Sequence, residues 1–153
     1  SITLKALEMN LAEIPLIGIE ARTNNTSTSN ISELWQKFYA SSIQDRTPNC
    51  VDTRVFVLHN HYKNNHTGDF NSLIGSTVSD LENIPKGMVG RIIPAQKYCV
   101  IRAEGTLPDA VIEAWQMIWC SDIKRTFKFD FEIYDDRAQD TGNAEVDIFI
   151  AVT

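Results

Sequence analysis

Two short stretches of this chain, eighty residues apart, read alike, and that repetition constrains the fold more than any other feature. Glu33-Leu34-Trp35-Gln36 matches Glu113-Ala114-Trp115-Gln116 at three positions of four, and Ser41 falls on Ser121. Each tetrapeptide lies in an amphipathic helical pattern. Ile31, Leu34, Trp35 and Phe38 follow the i, i+3, i+4, i+7 template; Val111, Trp115 and Ile118 do the same, with Ile112 and Trp119 beside them.

The surroundings repeat as well. Ile14–Arg22 alternates and is rich in aliphatics, which predicts a strand, and the Thr/Asn/Ser run over 23–30 is loop chemistry ending in Ser29 or Asn30 as a helix cap. The first helix is expected to run to about Ile43, with Pro48 closing it, and Arg54–Tyr62 and Phe70–Val78 are expected as strands. In the second half Lys97–Ala103 reads as a strand and Pro108 marks a helix start. Phe127–Asp135 and Glu145–Val152 read as two more strands, joined by a turn with Asp140, Gly142 and Asn143. The order is β-α-β-β twice, which fixed-period self-similarity makes an internal duplication. We expect one α+β domain over 1–153, with halves of about 1–79 and 80–153 related by a pseudo-two-fold axis. An antiparallel sheet with two main helices would then leave a concave site between the halves. A chain of 153 residues suits one such core and is short for two domains.

Charge removes some function classes. The net charge is −6, and the fourteen Lys and Arg are scattered, so no basic stripe exists for phosphate backbones and direct nucleic-acid binding is not expected. Phe127–Thr153 holds seven acids against two bases, an acidic surplus that either steers cations or simply solvates a face. Cys50, Cys99 and Cys120 lack C-x-x-C spacing and suit reduced thiols. With no export signal and no apolar run long enough to span a bilayer, the expectation is a cytoplasmic protein away from membranes.

Phe131-Glu132-Ile133-Tyr134 is the most informative tetrad for chemistry. Alternation puts Glu132 and Tyr134 on one face, and Phe127, Phe129, Phe131 and Ile133 on the other, core face. Either the Glu132 face meets water with Lys128 and Asp130, or Glu132 faces an aromatic pocket with few competing partners and pairs with a ligand cation. Trp35, Trp115 and Trp119, with Tyr39 and Tyr98, are the candidate walls. Trp35 and Trp115 lie on the stripes that pack on a sheet, whereas Trp119, one step off its stripe, is better placed to stack on a flat ligand. His59 and His61, two apart on a strand, would share a face and, with His66 and Asp69, merit a test as metal ligands; exposed strand-end histidines are the ordinary alternative, and no third ligand has a typical spacing. No P-loop, dinucleotide fingerprint, nucleophile elbow or zinc helix occurs, so no cofactor or metal is expected.

The order of these elements, the helix over 111–119, Phe131-Glu132-Ile133-Tyr134 and the closing Val146-Asp147-Ile148-Phe149-Ile150 together resemble the GyrI-like effector-binding domain family, as do Ile31–Phe38 and Phe70–Val78 with Gly75 in the first half. The resemblance covers nearly the whole chain. It implies two SH2-like repeats and a junction pocket for bulky, often cationic, aromatic compounds. Glu132 matches the family's pocket acid, with Tyr134, Trp119 and Tyr98 as walls. It further implies a standalone member of the kind carried on bacterial gene cassettes; in multidrug-sensing transcription activators of the AraC and MerR types such a domain is fused to a helix-turn-helix module. Three functions follow as expectations: a non-catalytic sensor or sequestering protein for cationic lipophilic compounds; a hydrolase of electrophilic small molecules using Glu132 and Tyr134; or a protein-interaction module, as for the family's gyrase-acting namesake. A protein partner or a homodimer stays open. Kinship with haem-binding proteins would make His59, His61 or His66 the ligand.

Overall fold

Alternation in the strands decides where the cores sit. The computed structural model describes residues 6–153. In chain order these form β1 (Leu7–Leu11), β2 (Ile14–Thr23), α1 (Thr28–Ala40), β3 (Val55–Asn60), β4 (Phe70–Thr77), β5 (Val89–Ile93), β6 (Gln96–Gly105), α2 (Asp109–Trp119), β7 (Arg125–Tyr134), a short 3₁₀ turn (Asp136–Ala138) and β8 (Ala144–Val152). The eight strands make one antiparallel sheet in the order β1-β6-β8-β7-β3-β4-β2-β5. The fold is therefore α+β, as expected, with the two halves meeting where β3 pairs with β7 at the sheet centre.

One face of the sheet packs on itself. Leu16, Phe56, Leu58, Leu73, Ile93, Tyr98, Phe131 and Phe149 form a core without any helix, in which the Phe131 and Phe149 rings stack at 4.5 Å. Burying side chains of this size stabilises by roughly 1.5–3 kcal/mol each. The alternate residues face the helices. Ile17, Ile19, Val57 and Ile74 meet Leu34 and Phe38 of α1; Val146, Ile148 and Ile150 meet Val111, Ala114 and Ile118 of α2. Both helices thus lie on one face, α1 over the first half and α2 over the second.

Two strands have no counterpart in the pattern read from the sequence. β1 pairs with β6 of the other half, and β5 pairs with β2 of the other half, so each repeat lends an arm to its twin. Only two residues separate β1 from β2, and two separate β5 from β6, although β1 and β5 are opposite edges of the sheet. At 3.8 Å per Cα step the edges must come together there, and the sheet curls into a trough around its inner core. Where β2 and β4 approach, Gly18 faces Gly75. A Cβ on Gly75 would stand 2.2 Å from the Ile17 carbonyl oxygen, so only glycine fits.

Three local expectations change. Helix α1 is capped earlier than predicted, at Ser27, two residues before Ser29 and three before Asn30, without a side-chain bond, while the Asn24 carboxamide organises the turn by accepting from the Thr26 amide at 3.0 Å. The same helix stops at Ala40 rather than near Ile43, because Ser42 adopts a positive φ of 49°, although Ile43 still tucks into the core. In β7, alternation fails before Asp130: the pairing with β8 shifts between Arg125 and Asp130, and Phe127 has a φ of 55°. This bulge takes Phe127 away from the Phe129–Phe131–Ile133 face and sets it against Tyr62 and Arg125. Among the described residues no helix is long and apolar enough to cross a membrane.

Candidate functional site

The concave space left between the two helices is a cavity of about 240 Å³. Its sides are Ile31, Ser32 and Trp35 from α1 and Val111, Trp115 and Trp119 from α2; its floor is Val57 and His59 of β3 with Glu132 and Tyr134 of β7. Tyr62, His66 and Phe70 close one end. There His66 stacks on Trp119 at 5.9 Å, and its backbone carbonyl accepts from the Asn25 side chain at 2.6 Å, which ties the loop after β3 to the loop before α1.

At the floor, Glu132 is 5% exposed and is far from the bare carboxylate expected from the sequence. The Tyr134 hydroxyl donates to its Oε1 at 2.7 Å, and the Trp115 indole N–H donates to its Oε2 at 2.8 Å. His59 Nε2 lies 2.9 Å from the same Oε2, while His59 Nδ1 lies 2.7 Å from Ser72 Oγ. Because the ionised carboxylate can only accept, His59 Nε2–H is the donor in that contact. Burial pushes the Glu132 carboxyl up, but His59, by hydrogen bond and by charge, together with the donors from Tyr134 and Trp115, outweighs it and holds it below the usual carboxylate range. Glu132 is thus ionised. Its carboxylate lies beneath an aromatic box, with the His59 imidazole at ion-pair distance, 2.9 Å. Burial and that charge together push the Tyr134 hydroxyl well above its usual range, so it remains a donor.

Geometry brings together most of the side chains singled out by sequence. Glu132, Tyr134, Trp35, Trp115 and Trp119 all line the cavity. Trp35 and Trp115 do two jobs, since each also packs against a helix–sheet core. Tyr98 does not join them: it is fully buried in the inner core on the other face of the sheet, its hydroxyl donating to the Pro94 carbonyl at 3.0 Å. Parity along β6 puts its ring with Phe131 and Phe149 rather than with α2. Tyr39 also lies elsewhere. It is 67% exposed, stacks on the outer side of Trp35 at 5.9 Å and borders a more open hollow that shares Trp35, Pro108 and Tyr134 with the cavity.

His59 changes role most. Though near the end of β3, it is not exposed: it is 7% accessible and belongs to the Glu132 cluster. His61 leaves the strand geometry with a φ of 54° and does not share its site. Among the described residues no three His, Cys, Asp or Glu side chains gather to hold a metal ion. A signal for His59 existed: both faces of Val55-Phe56-Val57-Leu58 are apolar, so a strand buried on both sides carries its next residue inward too. Arg125 and Asp130 had no such signal. Asp130 is fully buried, accepting from Arg125 Nη2 at 2.9 Å, from the Tyr62 hydroxyl at 2.7 Å and from the Ala151 amide at 3.0 Å. The alternative in which Asp130 meets water with Glu132 fails: Asp130 keeps the parity of Glu132, but Arg125 and Tyr62 cover it.

A duplicated sheet with two helices flanking an aromatic-walled, acid-floored cavity defines an effector-binding domain. Comparison with known sequences makes this specific: residues 9–152 match the model of the Cass2 family, the integron-associated effector binding proteins, and the chain belongs to that family. It is similar to YobU of Bacillus subtilis (strain 168), whose name marks it as a candidate transcriptional regulator, at 28% identity over 144 residues, covering 88% of this chain and 89% of YobU. Among solved structures it resembles the integron cassette protein VCH_CASS2 from the mobile metagenome of Vibrio cholerae, with a TM-score of 0.75 and 26% identity over 97% of this chain and 95% of that one. The protein SAV2435, solved with tetraphenylphosphonium bound, shares the fold at a TM-score of 0.80 and 19% identity, over 98% of this chain and 94% of that one.

Proposed function

We propose that the cavity binds bulky aromatic organic cations without chemical change, with Glu132 as the counter-charge and Trp35, Trp115, Trp119 and Tyr134 as the walls. The observation that carries this reading is the ionised, buried Glu132 at the foot of an aromatic box. Hydrogen bonds from Trp115, Tyr134 and His59 hold the carboxylate in place, and a buried carboxylate among aromatic faces is stabilised further by an organic cation brought against it. Indole and phenol faces add cation–π attraction, which strengthens once water is displaced. Arg125 and Asp130 nearby pair with each other, so Glu132 is the carboxylate that meets the ligand.

The same bonds make Glu132 a poor base. A carboxyl held below its usual range, with both oxygens engaged, has little tendency to take a proton from water, which argues against the hydrolase reading. Ser72 completes a Ser–His–Glu row, but it is fully buried and does not border the cavity, so it offers no nucleophile to a ligand. The similarity to a regulator-like protein and to a tetraphenylphosphonium-bound fold supports ligand sensing or sequestration.

The test is a titration of intrinsic tryptophan fluorescence with tetraphenylphosphonium, for wild type and Glu132→Gln. Saturable quenching in wild type, with affinity at least about tenfold weaker in the variant, is expected from loss of a buried charge partner. Equal affinity in the two proteins would remove Glu132 from recognition.

A further inference from the structure

One charged wall of the cavity is not used by cation binding. Arg125 lines the cavity, and its side chain is 4% exposed. Nη2 is taken by Asp130, whereas Nε and Nη1 are buried and have no hydrogen-bond partner among the described residues. The guanidinium lies 4.3 Å from the Phe127 ring centroid and 5.7 Å from that of Trp115. Guanidinium has five N–H donors and cannot lose its proton, so these nitrogens remain donors at any working pH. Buried donors without acceptors carry a desolvation penalty that a correctly placed acceptor removes.

Arg125 is also held in place. Asp130 anchors one end of the guanidinium and is itself fixed by Tyr62 and the Ala151 amide, while the bulge at Phe127 supplies the ring beneath it. Trp115 connects this corner to the acid: its N–H donates to Glu132 and its ring faces Arg125. A ligand lying along that indole meets a negative group at one edge and hydrogen-bond donors at the other.

We propose that Arg125 is a second recognition residue of this pocket, and that the ligands it favours are aromatic organic cations that also carry an acceptor oxygen, such as a carbonyl, for Nε or Nη1. This rests on the cation-binding reading above and narrows its ligand class. Because Asp130 already balances the guanidinium charge, a neutral acceptor suffices and the ligand's positive charge stays matched to Glu132. The flanking rings shield both nitrogens from bulk water, so contact requires a small movement of Trp115 or Phe127, and the bond then forms in a dry environment where it is strong.

The experiment compares three probes on the wild-type protein: tetraphenylphosphonium, its para-acetyl derivative and its para-isopropyl derivative, the last matching the acetyl group in size without its carbonyl. The expected result is at least about tenfold tighter binding of the acetyl compound than of the isopropyl compound, as a hydrogen bond to a charged donor gives. The bound acetyl carbonyl should show an infrared stretch shifted to lower frequency. Arg125→Met should abolish both the preference and the shift. If that variant fails to fold, the wild-type pair and the infrared shift still decide. Equal affinities of the acetyl and isopropyl compounds, or an unshifted carbonyl, overturn the role of Arg125 while leaving cation binding intact. Failure of all three probes to bind overturns the cation reading, and this inference with it.

Discussion

Trp35 and Trp115 occupy matching places on the two helices, and their surroundings differ. Trp35 on α1 stacks on Tyr39 and meets Tyr134 and Phe38 edge-on, all apolar contacts. Trp115 on α2 donates its N–H to Glu132, meets His59 edge-on and faces Arg125. Across the sheet centre the same asymmetry recurs, for Val57 of β3 pairs directly with Glu132 of β7. Duplication of a β-α-β-β unit produces a symmetric cavity, yet the charge in it comes from one half. A two-fold frame places two equal walls around a site, and a binding site for an asymmetric ligand needs those walls to differ. The first half supplies aromatic surface and His59; the second supplies the acid, two of its donors and the Arg125–Asp130 pair.

That contrast can be attacked most strongly at the polar end of β7. Asp130→Ala leaves Arg125 buried without its partner and should cost about 3–5 kcal/mol in urea unfolding, far beyond a surface substitution. A loss below about 1 kcal/mol would mean that the second half's charges are incidental. Next, Trp115→Phe removes a hydrogen bond to an ionised, buried acceptor and should cost about 1–3 kcal/mol, whereas Trp35→Phe loses only ring area and should cost clearly less. Matching losses from the two variants would erase the asymmetry between the helices.

The smallest effect is expected in pH dependence. Glu132 has its carboxyl lowered from the ordinary 4.5, so its share of stability is present above that value and is lost as pH falls through the lower folded value. The stability gap between wild type and Glu132→Gln should therefore be constant near neutrality and shift against wild type below about pH 4.5. Several other carboxyls are lowered too, among them Glu20 and Asp147, so only the difference between the two proteins reports on Glu132. A gap that does not change with pH would mean that folding leaves the Glu132 carboxyl at its unfolded value.

Much of this arrangement is legible in the sequence. The apolar stripes at Ile31–Phe38 and Val111–Ile118 become α1 and α2, and the alternation of Phe131-Glu132-Ile133-Tyr134 separates core from cavity as the structure does. The edge strands are another matter. β1, Leu7–Leu11, is almost wholly exposed and five residues long, so it shows no periodicity that burial would impose. Tyr98 fails for a related reason: a strand's two faces are equivalent in its own sequence, and only the pairing of β6 with β8 sends its ring toward the inner core.

From the sequence alone came the period of each segment, the duplication and the parity that sets Glu132 beside Tyr134, because these depend on backbone geometry that every helix and strand shares. Tertiary structure alone decided which face of each strand meets a helix, and that His59, from the other half of the chain, closes over Glu132. It also decided that a bulge delivers Arg125 to the same cavity. Those outcomes depend on contacts between residues far apart in sequence, such as His59 and Glu132 at a separation of 73, and no local pattern encodes such a distance.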